Sequence, residues 1–465
     1  MPVAVALLGY LTLVPIALLP ATGNAHDLAR MVQVPVLAAI AWLSWRQTGS
    51  AATGRLRRGA RGWSSVLAVA VLVTALCSTL SAPVFDQALR EALLLAGLML
   101  AGWASGRWIA AGHQSACLGA ISFGSAVYAG VLLIRVILAI ATSQPLDARD
   151  IVAGYVNHRF FNHVQTIAIP LLALALVNRS LLPLLRRFAA FALTVHLAVL
   201  PALGGRATAL GLALGAVAMV LLHPAGARPF LKALFMACVA GLLAYATLFL
   251  VLPVWLGSAP ESTMQRTAAS LYSDSSRVML WKLAWQQALE APWLGQGPMH
   301  YAHSVNTKAA HPHNFFLQVA AEWGFPLMVI CVAAAGTLVW RVSSRFRKES
   351  NPDALSEGCA LGTMVVALLV DSALSGNLVM PIPQMWVALG LGWAWAWTRP
   401  SSGQAGDSSM VWARPALLLC AVGLTWLTIV AATEFIRLDE HLRRVRTELA
   451  DNPRDNPRFW SHGWF

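Results

Sequence analysis

Apolar stretches separated by short polar breaks recur along the whole chain. A helix of roughly 20 apolar residues covers the ~30 Å hydrocarbon core of a bilayer. The pattern predicts membrane helices over residues 2–20, 31–45, 63–80, 92–111, 116–142, 164–178, 188–203, 208–222, 233–257, 314–340, 357–377, 383–398 and 411–433. Two of these are short and bounded by proline, so the number of spans is twelve or thirteen. The first stretch meets no basic residue before Arg30 and reads as a span rather than a cleaved leader. The predicted fold class is an all-α polytopic membrane protein. Its parts are an N-terminal bundle over 1–257, a polar loop with a helix over 258–313, C-terminal helices over 314–433 and a basic tail over 434–465.

Composition agrees with that pattern. Of 465 residues, 58% are hydrophobic and 11% charged, with a mean hydropathy of +0.63. Soluble domains carry about 25% charged residues, so a water-soluble enzyme is excluded. The formal charge of +13 would suggest nucleic acid in a soluble chain, but here the cations sit in short loops between apolar stretches. Nucleic acid is therefore not an expected partner; membrane lipids are. One set of alternate loops holds seventeen Lys and Arg residues and the opposite set five, which puts the first set in the cytoplasm. The N-terminus is then cytoplasmic and 258–313 lies outside. The tail after residue 433 carries six arginines; it lies outside if 411–433 spans and inside if it does not. The six cysteines fall in or beside apolar stretches with no C-x-x-C pair, and read as small core residues.

Long polar interruptions are usually functional, and 258–313 is the one in this chain. Asp274 to Ser276 offer a helix cap. Val278, Trp281, Ala284, Trp285 and Ala288 then recur at helical spacing, which predicts a stripe facing membrane or core. Pro292 and the Gly295-x-Gly297-Pro298 turn end that helix.

Four clusters could carry chemistry, all on the outer side by the charge count. In His311-Pro312-His313-Asn314, followed by Glu322 and Gly324 inside a span, a histidine could accept and return a proton at neutral pH. Gly204-Gly205-Arg206 opens a helix, and an arginine at a helix N-terminus makes an anion site, phosphate above all. Arg277 repeats this in the first turn of the loop helix, against the local dipole. The run from Tyr155 to Gln165 holds Arg159, Asn162 and Gln165, whose hydrogen-bonding groups suit sugar or phosphate. Each cluster also has a structural reading: a loop-bonded histidine, a snorkelling arginine, a solvated surface arginine, an interfacial aromatic belt. Arg135 and Asp371 lie inside spans and are read as structural, paired or facing a cavity. No D-x-D pair, Walker loop, H-E-x-x-H or G-x-S-x-G is present, so metal–nucleotide, zinc and serine-hydrolase chemistry have no support.

Gly205-Arg206-Ala207, Arg277-Val278-Met279-Leu280-Trp281 with Pro292-Trp293-Leu294-Gly295-Gln296-Gly297, and His313-Asn314 with Gly324 resemble the O-antigen ligase/polymerase superfamily. The family's Gly, Thr or Tyr position, three residues after that glycine, is Leu327 here, a departure. The resemblance implies a GT-C membrane glycosyltransferase, acting at the periplasmic face of a Gram-negative inner membrane without metal or cofactor. It implies a glycan donor on undecaprenyl diphosphate, direct inverting attack, His313 as base, and Arg206 and Arg277 on the diphosphate. Arg159, Asn162, Gln165, His311, Asn314 and Glu322 are further candidates for contact with substrate. The acceptor it implies is lipid A–core in a ligase, a repeat unit in a polymerase, or a pilin hydroxyl in an O-oligosaccharyltransferase. Ligase is favoured, because the oligosaccharyltransferases usually carry a longer C-terminal region and polymerases often match His-Asn less well. A lipid-linked glycan transporter would instead show paired halves with broken helices and midplane polar residues, and no such symmetry is visible.

Overall fold

The computed structural model describes residues 2–18, 25–50, 63–142, 144, 151–257, 276–304, 306, 308–399, 410–438, 440 and 458–463. Among these, thirteen long helices occupy the thirteen expected stretches, and one more lies in the polar loop. In chain order they are α1 (Pro2–Ala17), α2 (Ala25–Ser50), α3 (Trp63–Leu80), α4 (Phe85–Trp108), α5 (Gln114–Ala141), α6 (His158–Val177) and α7 (Pro183–Ala202). There follow α8 (Arg206–Leu222), α9 (Pro224–Tyr245), the loop helix α10 (Ser276–Glu290), α11 (Phe315–Lys348), α12 (Pro352–Leu374), α13 (Pro381–Trp397) and α14 (Met410–Ile436). Eight segments are long and apolar enough to cross a membrane, α4 and α5 counting as one segment, Phe85–Ala141. The protein is an all-α polytopic membrane protein.

Several helices run past the expected ends. α2 begins at Ala25 because Asp27 and Arg30, which the hydropathy pattern assigned to a loop, are buried and bonded. Small residues set the closest helix contacts. On α4, Gly102 and Gly106 lie against the Ala388 and Gly392 carbonyls of α13, and on α8, Gly211 and Gly215 lie against Ala367 and Thr363 of α12. Lipid gives no hydrophobic drive between helices, so close backbone packing of this kind holds them together. Large apolar side chains such as Leu76, Met99, Ile134, Leu242 and Leu419 point outward. All six cysteines are free; Cys117 and Cys359 are buried, but Cys77 is exposed and the others are intermediate.

α6, α8 and α12 pack together near the middle of the bundle, with α10 and α11 side by side. Their ends at the turns 203–205, 291–304, 308–314 and 375–380 bring the polar clusters together.

Candidate functional site

The site starts from a turn that only glycine permits. Gly204 has φ +64°, in the left-handed region that favours glycine. A Cβ on Gly205 would crowd Leu200 and stand 3.1 Å from the Asn162 amide. The Thr208 hydroxyl donates to the Asn162 carbonyl at 3.0 Å and shares a 3.0 Å hydrogen bond with Thr166. The start of α8 is thereby docked onto α6, and Arg206 stands exposed at its first position, beside the free N–H groups of the helix end.

On α6, Asn157 caps the helix by accepting from the Arg159 N–H at 2.9 Å, and Arg159 is exposed. Asn162 is buried and its Oδ1 has no partner. Gln165 donates through its amide to the His196 carbonyl of α7 at 2.7 Å, and its Oε1 is buried without a partner. His163 and Asp371, not among the expected site residues, form the centre of a buried polar network. His163 Nδ1 lies 3.1 Å from Asp371 Oδ2, which also accepts from Thr166 at 3.1 Å and from Asn377 at 3.4 Å. Ser375 Oγ lies 3.3 Å from His163 Nε2. Asp371 is thus paired, as expected. A signal was present: an ionisable residue within a span is a functional candidate by default.

Arg277, half-buried in the first turn of α10, lies within electrostatic reach of Arg159 and Arg206. Burial first, then the charges of Arg159 and Arg206, push its pKa below the ordinary arginine value, with Asp371 opposing. No carboxylate pairs with Arg206 or Arg277 among the described residues. The expected stripe is divided: Ala284 and Ala288 lie on the buried face of α10 with Leu280 and Gln287, while Val278 and Trp285 are exposed. Both faces are apolar, so periodicity alone cannot choose, and the alanines allow close approach to α11 and Tyr301. The expected cap at 274–275 lies outside the described residues.

The loop returns through the predicted glycine turn. α11 is interrupted at Gly324, with φ +84°, and Pro326 has no N–H to bond the Glu322 carbonyl. That carbonyl instead accepts from Gly297 N–H at 3.0 Å and Ser78 Oγ at 3.2 Å; Gln296 N–H donates to the Ala321 carbonyl at 2.8 Å, and Phe325 N–H to Pro292 at 2.8 Å. Gly295 and Gly324 permit this backbone contact, since a Cβ on either would strike the opposite strand of the turn. Leu327 is buried beside Trp323.

His311 is buried against Gly376, and its ring meets that of His313 edge-on at 4.1 Å. His313 is the more open of the two and has φ +54°. A left-handed backbone at a non-glycine residue is strained, and such strain concentrates at functional sites. His311 Nδ1 accepts the His313 N–H at 3.3 Å, so it shapes the turn. It is the more tightly packed of the two, with Gly376 against its ring. Asn314 caps α11, accepting from Leu317 N–H at 3.0 Å. Burial, then Arg277, His163 and Arg159, push His313 down to about 3. His311 is held well below its ordinary value by burial, His313, Arg458 and His163. Both rings are neutral at pH 7; the His311 lone pair takes the His313 N–H, and that of His313 is left to accept a proton.

Glu322 does not join this group. It is fully buried, with Oε2 2.6 Å from Arg458 and 3.2 Å from Gln318 Nε2, and Oε1 accepting from Tyr301 N–H at 3.2 Å. Its carboxylate is engaged by the protein's own donors, away from the histidine turn. Arg458 belongs to the tail, whose described residues 458–463 therefore lie at the same end of the bundle as the histidine turn.

Three arginines from three helices, next to neutral histidines, can hold a multiply charged anion while a hydroxyl is deprotonated beside it. Among the described residues, no three His, Cys, Asp or Glu side chains form a group able to hold a metal ion.

Residues 188–332 match the family model described as O-antigen ligase. The resemblance to the O-antigen ligase/polymerase superfamily is borne out over that stretch, which contains Arg206, Arg277, His311 and His313. Arg159, Asn162, His163 and Asp371 lie outside it. No curated protein matches the chain.

Proposed function

Starting from the O-antigen ligase match, we propose that this chain is an inverting glycosyltransferase that moves a glycan from undecaprenyl diphosphate to an acceptor hydroxyl. The observation that carries this reading is that Arg159, Arg206 and Arg277, on three helices, lie within electrostatic reach of one another and that Arg277 and Arg159 also act on the strained His313. The hydroxyl oxygen attacks the anomeric carbon from the face opposite the diphosphate, and the bond from that carbon to the phosphate oxygen breaks. His313 takes the hydroxyl proton. The lipid diphosphate leaves with its charge held by the arginines, whose planar guanidinium groups suit several phosphate oxygens. Neither a metal nor another cofactor has a part in this reaction.

The family match supports lipid A–core as acceptor, with a repeat unit or a protein hydroxyl as the alternatives. The family resemblance implies a GT-C enzyme of the Gram-negative inner membrane, and the loop charges support a site facing the periplasm. A role for Asn162 in donor binding is supported by its Oδ1, which is buried without a partner beside Gly205. Asn314 holds the start of α11 beneath the base.

A second choice of base has one observation in its favour. His163 is oriented by Asp371, as bases in catalytic triads are, whereas His313 has no carboxylate partner among the described residues. Purified protein supplied with a lipid-linked oligosaccharide and lipid A–core tests the proposal. Transfer that is lost in His313→Ala and kept in His163→Ala supports His313; the reverse assigns the base to His163.

A further inference from the structure

Residues 458–463 are threaded into the outer end of the bundle. Ser461 donates through its N–H and its hydroxyl to Asp27, both at 2.7 Å. Trp460 Nε1 donates to Glu434 at 3.0 Å, and Arg30 donates to the carbonyls of Phe459 and Arg458 at 3.2 and 3.1 Å. These bonds deliver the Arg458 guanidinium to a site where it is 1% exposed. There it meets Glu322 at 2.6 Å and Glu91 at 3.3 Å. Two carboxylates in a dry site repel each other, and removing their shared cation leaves buried charge uncompensated.

The pair leads to the candidate site through one residue. Glu322 accepts the Tyr301 N–H at 3.2 Å, and the Tyr301 hydroxyl donates to the Leu280 carbonyl at 3.2 Å, three residues after Arg277. The Tyr301 ring packs with Leu280, Ala284, Ala309 and Ala321, and Ala309 lies two residues before His311. Tyr301 therefore touches both the helix that carries Arg277 and the segment that carries the histidines.

We propose that Arg458 is a positioning residue: through Glu322 and Tyr301 it holds the Arg277 helix and the His311–His313 turn in register. Its catalytic consequence rests on the glycosyl-transfer reading; its structural part does not. The C-terminal segment is on this view a component of the site, although it is separated from Glu322 by 136 positions in the chain.

The test uses the full-length protein in detergent, as wild type, Arg458→Met, Arg458→Lys and Glu322→Gln. Hydrogen exchange is read at the Gly297 and Tyr301 amides, with amides of α12 as the internal control. Arg458→Met is expected to speed exchange at those two amides at least about tenfold, leaving α12 unchanged, and Arg458→Lys to restore part of the protection. With lipid-linked donor and acceptor, Arg458→Met is expected to lower kcat at least about tenfold, since small misplacements of reacting groups are costly. Donor KM should change less than about threefold, because Arg159 and Arg206 on α6 and α8 still hold the anion. If Arg458→Met does not fold, Arg458→Lys and Glu322→Gln decide the same points. Wild-type exchange at both amides together with wild-type kcat in the folded variants overturns the proposal. A wild-type protein that transfers glycan to none of the acceptors sinks the functional reading, while the exchange data still decide the positioning.

Discussion

His163 and Asp371 meet at 3.1 Å although 208 positions separate them. The same Asp371 oxygen also takes hydrogen bonds from Thr166 and Asn377, so one carboxylate on α12 fixes α6 and the 375–380 turn, where Gly376 packs against His311. Deleting it leaves buried donors unpaired, each at a cost of about 1–3 kcal/mol. Asp371→Ala is expected to lower the thermal midpoint in detergent clearly. Asp371→Asn, which keeps an acceptor, should fold but lose at least about tenfold in turnover. Thermal unfolding and transfer assays on the two variants check this; wild-type turnover in folded Asp371→Asn would remove the carboxylate from the site.

The arginines make a separate prediction. A guanidinium grips phosphate oxygens in pairs, whereas an ammonium meets them as a point charge. Arg206→Lys and Arg277→Lys should therefore rescue the matching alanine variants only in part. Turnover and lipid-diphosphate binding measured on all four variants decide it. Full rescue by lysine at both positions would reduce the clamp to simple charge.

The helices were legible in the sequence because apolar runs are local signals, and so was the Gly204-Gly205-Arg206 turn, whose backbone demands are also local. The convergence on Arg277 was anticipated only as separate clusters on one side. The buried face of α10 was legible only in part, since Val278 and Trp285 offer as apolar a face as Leu280 and Ala284, and the choice depends on where Tyr301 lies. Glu322 looked available because its partner, Arg458, sits in the tail. His163 and Asp371 were each visible as polar residues at or within a span, but only the packing of α6 on α12 joins them.

Substrate binding should change the base. In the free protein His313 is held near 3 by burial and by the charges of Arg277, His163 and Arg159. A diphosphate among those arginines offsets their charge, so the imidazole becomes easier to protonate and its pKa rises. A raised pKa makes His313 a stronger base while the donor is bound. Protonated His313 cannot act as base, so activity is lost on the acid side of its pKa. The acid limb of kcat, which reports the bound enzyme, should therefore lie at higher pH than any contribution of His313 to kcat/KM, which reports the free enzyme. Imidazole NMR with and without pyrophosphate should show the His313 midpoint rising by at least about one unit. An unchanged or lower midpoint would separate His313 from the anion site.

Metal dependence gives an independent check. With arginines holding the diphosphate, transfer needs neither a divalent ion nor ATP. Product should form at the normal rate in excess EDTA. Loss of transfer that only magnesium or manganese restores would contradict this.

The most direct measurement compares turnover and lipid-diphosphate binding in His313→Ala and His311→Asn at matched expression. General-base assistance is worth about 10²–10⁴-fold in rate, so His313→Ala should lose at least about a hundredfold in transfer while still binding the lipid diphosphate. His311→Asn keeps an acceptor for the His313 N–H that His311 Nδ1 now takes at 3.3 Å, and should retain most of the activity. A His313→Ala protein that transfers glycan at the wild-type rate would contradict the assignment of His313 as the base.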